Sequence, residues 1–340
     1  MQEPPKNSGD HSDGPCPEHF DGKRFFSPGV QTDKGWRDLW RWRRTRKPAP
    51  WPERIDIRAL PPPPSSVGVD DIVITHIGHA TLLVQTAGCN IITDPVFSER
   101  LGPLPWTGPR RVRAPGVSLD ALPRIDAVLL SHNHYDHLDR WTLRQVHQRW
   151  KPVVVTGLGN GRYLARAGMP RVVELDWWES FALAPELRVT YVPAQHWSHR
   201  WPLDRRKALW GGHVVRAPAG SVYFAGDTGY PADFKSIRQR LGPPDIALLP
   251  IGAYEPRWFM GAQHMNPDDA VRAHLDLAAR VSVAMHWGVF HLTDEAIDAP
   301  LHALAVARRE RRVGADEFRA LDFGERLHFY GKTTLLRSGG

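Results

Sequence analysis

Three histidines and two aspartates are crowded into nine residues near the middle of the chain, in Ser131–Asp139, which reads SHNHYDHLD. The stretch follows the largely apolar run 126–130, which predicts a buried strand that ends in a polar loop. Imidazole and carboxylate groups at this density are typical of a metal site. The spacing H-x-H-x-D-H indicates that His132 and His134 share one ion, while Asp136 and His137 turn toward a second.

One loop cannot complete two coordination spheres, and the sequence offers further ligands downstream. His196, Asp227 and His286 each follow a short run of β-branched and apolar residues that predicts a buried strand. Asp94 follows a similar run, 89–93, and we expect its carboxylate to hydrogen-bond a ligating histidine and select its tautomer. Because all these residues come directly after strands, they are predicted to meet at one edge of a sheet.

Six further short sequence motifs, which lie in order around this loop, resemble those of a known family. The chain resembles the metallo-β-lactamase superfamily and, within it, the phospholipases D that hydrolyse N-acyl-phosphatidylethanolamine, from about Phe25 to the C-terminal region. The motifs are TDPVFS (93–98), GPRRVR (108–113), PAQHW (193–197), FAGDTGY (224–230), GAYEPRWFM (252–260) and HWG (286–288).

The resemblance implies a ligand set, a fold and an activity. Position by position, it implies one zinc on His132, His134 and His196, a second on Asp136, His137 and His286, and a bridging Asp227. It implies a four-layer αβ/βα sandwich, whereas the pattern of strands and helices alone predicts only an α/β fold. The implied reaction is hydrolysis of N-acyl-phosphatidylethanolamine, or a related phospholipid, to phosphatidate and N-acylethanolamine through a metal-bridging hydroxide.

A pair of divalent cations suits a phosphodiester, because the negative charge on such a substrate grows in the transition state. Zinc is the expected metal, although iron or manganese would accept similar ligands. The catalytic candidates are Asp136, Asp94 and His264; either His264 or Arg257 could serve the leaving oxygen. The alternative for His264 is a hydrogen-bonded core histidine.

Two segments are candidates for substrate binding. The loop 101–115 follows the Asp94 strand and precedes the metal loop, so we expect it to overhang the site and to offer Trp106 and Arg110. The segment around 252–260 offers Tyr254, Arg257 and Trp258. Solvated loop charges and core aromatic residues are the alternatives. His79, in a Gly-His-Ala word, is a candidate for support of the ligands.

The chain has 340 residues, and the ligands span its middle, which predicts one catalytic domain over 52–336. Opening strands are predicted at 72–77, 81–85 and 90–93, and helices at 140–150, 233–241 and 267–280. Asn266 is the predicted cap of the last helix. Residues 1–22 are polar and rich in Pro, Gly and Ser, so we expect a disordered tail.

Residues 23–51 form a basic extension, in which WRDLWRWRRTRK (36–47) alternates tryptophan with arginine. Between Lys23 and Arg58 there are eleven Lys or Arg and four Asp or Glu, a balance of +7 that equals the net charge of the whole chain. This pattern is typical of contact with an anionic membrane. A helix folded back onto the catalytic domain is the alternative. Nucleic acid is not the expected partner, and a homodimer stays open.

No segment of the sequence predicts a signal peptide or a membrane-spanning run. The two cysteines, Cys16 and Cys89, are not expected to pair, and a cytoplasmic location, with contact to the inner membrane face, is the interpretation. Two other functions stay open: another hydrolase of the same fold, such as a sugar-phosphate lactonase or a nuclease, and an iron-based oxidoreductase. The latter usually has a carboxylate at position 134 and a flavin domain.

Overall fold

The computed structural model describes residues 18–30, 33–230 and 233–331. Fourteen strands and seven α-helices lie in these ranges. The strands are β1 Asp71–Gly78, β2 Thr81–Thr86, β3 Cys89–Thr93, β4 Ala127–Leu130, β5 Val153–Gly157, β6 Val172–Leu175, β7 Ser180–Ala184, β8 Leu187–Val192, β9 Gly212–Ala217, β10 Gly220–Phe224, β11 Ile246–Pro250, β12 Val281–Met285, β13 Phe318–Arg319 and β14 Arg326–Tyr330. The helices are α1 Trp36–Thr45, α2 Arg140–Trp150, α3 Gly161–Arg166, α4 Asp233–Leu241, α5 Arg257–Met260, α6 Pro267–Leu277 and α7 Ala299–Arg311.

These strands form two seven-stranded sheets. The first has the order β14-β1-β2-β3-β4-β5-β6, and the second has the order β13-β12-β11-β10-β9-β8-β7. The predicted opening meander is confirmed, since β1, β2 and β3 pair antiparallel. From β3 to β6 and from β10 to β13 the pairing is parallel. Both sheets are therefore mixed, and each has a group of strands whose carboxyl ends share one edge.

The first sheet is apolar on both faces, as expected for a sheet that is covered on both sides. On β4, Leu129 belongs to the core between the two sheets, while Val128 and Leu130 belong to a second core with Leu143 and Val146 of α2. The period of two along the strand separates these two faces. The outer face of this sheet is thus covered by α2 together with α3.

The second sheet faces the first through the larger core and carries α4, α6 and α7 beside it. The same contiguous cluster of buried residues continues to Phe234 and Ile237 of α4, Val271 of α6 and Leu304 of α7. The arrangement is helix, sheet, sheet, helix, so the predicted four-layer αβ/βα sandwich is confirmed.

The sequence predicts the start of α6 correctly and its end wrongly. Asn266 caps the helix, with its Oδ1 accepting a hydrogen bond from the Asp269 N–H at 2.8 Å. We predicted helix to residue 280, but α6 ends at Leu277, because Ala278 adopts a left-handed conformation with φ 49° and turns the chain into β12. The predicted bounds of α2 and α4 are confirmed.

The basic extension packs on the domain in part. Trp42 of α1 stacks on Phe259 with the ring centroids 5.2 Å apart, and Trp51 stacks on His291 at 4.9 Å. Trp36 and Trp40 are exposed by 73% and 57%. Trp42 of α1 therefore faces the domain, as in the folded-back alternative, whereas Trp36 and Trp40 face solvent, where membrane contact would require them.

The predicted disordered tail falls mostly outside the described residues, which begin at 18. Within 18–22, which belong to the predicted tail, His19 is buried and its Nε2 lies 2.7 Å from Asp176 Oδ1. Cys16 also lies outside the described residues, and Cys89 is a half-buried free thiol. None of the helices in the described ranges combines the length and apolarity needed to cross a bilayer.

Candidate metal centre

All the predicted ligand positions lie at one rim of the sandwich. Asp94 follows β3, and the HNHYDH loop follows β4, two neighbouring parallel strands of the first sheet. His196, Asp227 and His286 come after β8, β10 and β12 of the second sheet. β8 and β10 are both antiparallel to β9, and β10 and β12 are both parallel to β11, so these three strands end at the same edge. The packing of the two sheets brings both edges together.

The first group of potential ligands consists of three histidines. His134 Nδ1 lies 2.8 Å from His132 Nε2 and 3.2 Å from His196 Nε2. The other nitrogen of two rings is held in place: His196 Nδ1 donates to the Gln263 carbonyl at 2.9 Å, and His132 Nδ1 lies 2.9 Å from Ser131 Oγ. This leaves the Nε2 lone pairs of both rings directed at the same point, where a cation would be bound.

Burial keeps these three rings neutral. Loss of hydration lowers the pKa of His132 and of His134 well below the usual value, and nearby histidines act in the same direction. Burial also lowers the pKa of His196, to about 4, against the opposing effect of Asp227. Neutral imidazoles are the form of histidine that binds a metal.

The second group combines two carboxylates with two histidines. Asp136 Oδ2 lies 3.4 Å from both His137 Nε2 and His286 Nε2. Asp227 Oδ2 lies 3.1 Å from His137 Nε2, and Asp227 Oδ1 lies 3.2 Å from His286 Nε2. Asp227 Oδ2 is also 3.9 Å from His196 Nε2 in the first group. Asp227 therefore stands between the two groups, where a bridging ligand would lie.

Asp94 is placed as expected behind the ligands. Its Oδ2 lies 2.6 Å from His137 Nδ1 and accepts a hydrogen bond from Ser131 Oγ at 2.5 Å, while its Oδ1 accepts one from the Ser131 N–H at 2.8 Å. The carboxylate is fully buried, and burial raises its pKa against these hydrogen bonds. Asp94 thus fixes the orientation of His137 and, through Ser131, that of His132.

His79, the candidate for support of the ligands, joins the site from the first sheet. Its Nε2 lies 3.1 Å from Asp136 Oδ2, and its ring is 3.9 Å from the ring of His286. The signal in the sequence is its position in a Gly-His-Ala turn between β1 and β2, where His79 has a φ of 55°. Asp94 and His286 also have positive φ, at 30° and 60°. Such strained conformations cluster at functional sites.

His264 also reaches the metal centre. Its Nδ1 is buried without a hydrogen-bond partner and lies 3.8 Å from Asp227 Oδ2. Burial lowers the pKa of this ring to about 3. Of the two interpretations of His264, the structure supports a residue that faces the site, although its role in catalysis stays a prediction.

Arg257 holds in place the segment that carries His264. Its Nη1 donates to the His264 carbonyl at 2.8 Å, and its Nη2 forms an ion pair with Asp269 Oδ2 at 2.7 Å. The guanidinium group therefore secures the turn between α5 and α6, and direct contact of Arg257 with substrate stays a prediction.

The remaining substrate candidates are dispersed. Trp106 is exposed by 71%, and Arg110 forms an exposed ion pair with Glu99 at 3.3 Å. Tyr254 is buried on the loop after β11, and burial raises the pKa of its hydroxyl. Trp258 is partly exposed beside α1, with the Arg41 guanidinium 4.5 Å from its ring centroid. Their contact with a substrate stays a prediction.

The donor set fits divalent cations of the zinc type. Asp227 Oδ1 and His286 Nε2 are buried without a hydrogen bond, and such atoms are costly unless a ligand satisfies them. Histidine nitrogens and carboxylate oxygens, without cysteine, form four overlapping groups at this rim, one of which contains Asp227. Zinc, iron and manganese all accept this set.

Comparison with known proteins assigns the chain to a family. Residues 89–287 match the Beta-lactamase superfamily domain. The chain is 42% identical over 247 residues to an uncharacterized protein of Mycobacterium tuberculosis, covering 71% of this chain and 65% of that protein. It is 39% identical over 226 residues to N-acyl-phosphatidylethanolamine-hydrolyzing phospholipase D 1 of Caenorhabditis elegans, covering 64% of each. The matched part thus spans just under two thirds of these relatives.

Other proteins resemble the chain in sequence or fold. A UPF0173 metal-dependent hydrolase of Caldivirga maquilingensis is 31% identical over 216 residues, covering 63% of this chain and 81% of that protein. Igni18, a metallo hydrolase from Ignicoccus hospitalis, superposes with a TM-score of 0.59 at 23% identity over 77% of this chain and all of its own. From the sequence match, and in agreement with this fold, the chain belongs to the metallo-β-lactamase superfamily.

Proposed function

We propose that the chain is a metal-dependent phosphodiesterase of the phospholipase D type. Its substrate would be N-acyl-phosphatidylethanolamine or a related phospholipid, and its products phosphatidate and N-acylethanolamine. The observation that carries the proposal is the pair of ligand groups that meet at Asp227. The named activity of the relative from Caenorhabditis elegans supports the choice of substrate.

Each set of site residues has a separate role in this proposal. His132, His134 and His196 would hold one cation, and Asp136, His137 and His286 a second, with Asp227 between them. Two zinc ions would supply a hydroxide and stabilise negative charge on the phosphate. Asp94 and His79 keep His137 and Asp136 in place through hydrogen bonds of 2.6 and 3.1 Å.

We propose that His264 donates a hydrogen bond to the leaving oxygen of the substrate. Its Nδ1 is buried, faces Asp227 and makes no hydrogen bond with the protein. A neutral imidazole N–H at this point can donate to an oxygen of the substrate. Arg257 holds the backbone of His264, so this donor is presented by a secured turn.

The direct test is product analysis with zinc-loaded protein and N-acyl-phosphatidylethanolamine in mixed micelles. We expect mass spectrometry to detect phosphatidate and N-acylethanolamine in equal amounts. Asp227→Asn should reduce kcat by about 10³-fold or more, because charge stabilisation at a reacting centre contributes on that order. The control Asp120→Asn removes an exposed aspartate that pairs with Arg149 and should retain full turnover.

Two results would redirect the proposal. Turnover of a lactone or of nucleic acid without turnover of the phospholipid would establish the alternative, another hydrolase of this fold. Full turnover after removal of all metal, verified by elemental analysis, would refute the metal-dependent reaction.

We further propose that α1 contacts an anionic membrane surface. Trp36, Leu39 and Trp40 lie at helical spacing and are exposed by 73%, 46% and 57%. Arginines at positions 37, 41, 43 and 44 flank them. Exposed indole rings beside cations suit the headgroup region, where each basic residue contributes about 1 kcal/mol.

Co-sedimentation with vesicles tests this contact. We expect Trp36→Ala/Trp40→Ala to reduce binding to vesicles that contain phosphatidylglycerol, and we expect salt to weaken binding of the unchanged protein. The control Tyr330→Ala removes an aromatic ring that is exposed by 63% outside α1. Equal binding of all three proteins would contradict the role of α1.

A further inference from the structure

A groove of about 490 Å3 lies beside the metal loop and has no role in the reaction proposed above. One wall is the segment 97–105 after β3, a second is the start of α2, and the third is Arg200–Trp201. Tyr135 lines the groove, and it lies between His134 and Asp136 in the sequence. The groove therefore adjoins the metal centre, but its lining contains none of the metal-ligand candidates.

The groove carries positive charge that the protein does not neutralise locally. Arg140 and Arg144, one turn apart on α2, both donate to the same Arg166 carbonyl, at 2.8 and 3.2 Å. Arg100, on the opposite wall, donates to the Gly108 carbonyl at 2.9 Å. Within the described ranges no carboxylate forms an ion pair with these three side chains. Arg140 Nε is moreover buried without any hydrogen-bond partner.

The two acidic residues in the lining are already engaged. Glu99 pairs with Arg110 at 3.3 Å. Asp139 caps α2, and its carboxylate accepts from the Trp141 and Ser98 N–H groups, both at 3.1 Å. Two neighbouring guanidinium groups that share one carbonyl repel each other, and an anion between them would relieve that repulsion.

The rim of the groove is apolar and open to solvent. Leu104, Trp141 and Trp201 come from its three different walls and are exposed by 46%, 52% and 43%. Large apolar side chains that converge from separate segments mark an interaction site more strongly than isolated ones. Cations inside with apolar residues at the rim match a ligand that has an anionic group joined to hydrocarbon.

We propose that this groove binds the phosphate group of an anionic phospholipid that is separate from the substrate. Arg100, Arg140 and Arg144 hold the phosphate. Leu104, Trp141 and Trp201 contact the first carbons of the acyl chains. Arg200 forms the floor, and its Nη1 donates to the carbonyls of Asn133 and Leu138 in the metal loop, at 3.1 and 2.8 Å. A lipid in the groove thus lies against the segment that carries the metal ligands.

The test is a titration of the zinc-loaded protein with dihexanoyl phosphatidate below its micellar concentration, followed by calorimetry. We expect saturable binding that Arg140→Gln/Arg144→Gln weakens by about tenfold or more, since charge-assisted hydrogen bonds to phosphate are strong. The matched control is Arg162→Gln, on α3, whose guanidinium donates to the Lys207 carbonyl outside the groove lining. This control should bind as tightly as the unchanged protein.

Further arms separate the alternatives. Trp141→Ala should weaken binding of dihexanoyl phosphatidate, whereas glycerol 3-phosphate should bind more weakly than the lipid to the unchanged protein. Equal affinity for both ligands would reduce the groove to a simple anion site and overturn the proposal. Binding that persists in Arg140→Gln/Arg144→Gln would place the lipid at the metal centre or on α1 and would also overturn it. Arg100→Gln provides an independent variant on the opposite wall.

Discussion

At the scale of single residues, the metal centre depends on how the far side of each imidazole ring is held. His196 is held by the Gln263 carbonyl and His137 by Asp94, whereas His286 Nδ1 is buried without a hydrogen bond. His286 is held instead by its left-handed backbone and by the His79 ring, 3.9 Å away. The sequence indicated Asp94 from its position after a strand, but the contact of His79 with Asp136 required the turn between β1 and β2.

The first prediction concerns Asp94. Asp94→Asn removes the charged acceptor behind His137 and should weaken metal binding by about 10- to 100-fold, as is usual for residues that support a ligand. Competition with a fluorescent chelator measures this change. Asp126→Asn is the matched control, because Asp126 lies at the other end of β4 and its carboxylate accepts from the Asn90 N–H. Equal loss in both variants would contradict a specific role for Asp94.

At the scale of elements, the strands both carry the ligands and join the sheets. His213 on β9 is a second kind of strand histidine: it is fully buried, and its Nε2 donates across the core to the Val155 carbonyl on β5 at 3.2 Å. Burial lowers the pKa of His213 to about 3. This ring therefore stays neutral in the folded state when an exposed histidine would already be protonated.

The second prediction is the pH dependence that follows. Below pH 6.5 the unfolded chain binds a proton at His213 that the folded chain does not bind until about pH 3. Stability from this site is thus complete above pH 6.5 and falls as the pH drops through that window, by about 1.4 kcal/mol per pH unit. His213→Gln keeps a donor for the Val155 carbonyl. It should remove the uptake of one proton on unfolding and so lower the slope of the unfolding free energy against pH by about 1.4 kcal/mol per pH unit.

Urea unfolding of the two proteins at several values between pH 7.5 and 5 measures this slope. The metal ligands are the same in both proteins, so their contribution cancels in the difference. Identical slopes would show that His213 takes up its proton equally in the folded and unfolded states.

At the scale of the whole molecule, each ligand group joins the two sheets. His132 and His134 come from the first sheet and His196 from the second, while Asp136 and His137 meet Asp227 and His286 in the same way. Cations in these groups would therefore hold the two halves of the sandwich together. The core between the sheets holds the two halves together along the rest of the interface.

The third prediction is a loss of thermal stability on removal of metal. A ligand at 100 times its Kd that binds only the folded state stabilises it by about 2.7 kcal/mol. Chelation should therefore lower Tm by several degrees, and added zinc should restore it. Differential scanning calorimetry measures the change, with elemental analysis to verify the metal content. An unchanged Tm in metal-free protein would show that the groups are preformed without any contribution from cations.

Part of this architecture could be predicted from the sequence because it depends on neighbours along the chain. The period of two in β4, the Asn266 cap and the position of each ligand directly after a strand are local features. Resemblance to the family supplied the four-layer arrangement, which alternation alone does not define.

Tertiary structure decided the contacts between distant segments. Tertiary packing brings His264 to Asp227 and leaves Trp106 in solvent while Leu104 lines the groove. The sequence by itself determined which side chains can bind metal and that strands present them, since these depend on residue type and local periodicity. Which rings meet, and which arginines lack a carboxylate, depends on the relative placement of elements far apart in the chain, and no local pattern encodes it.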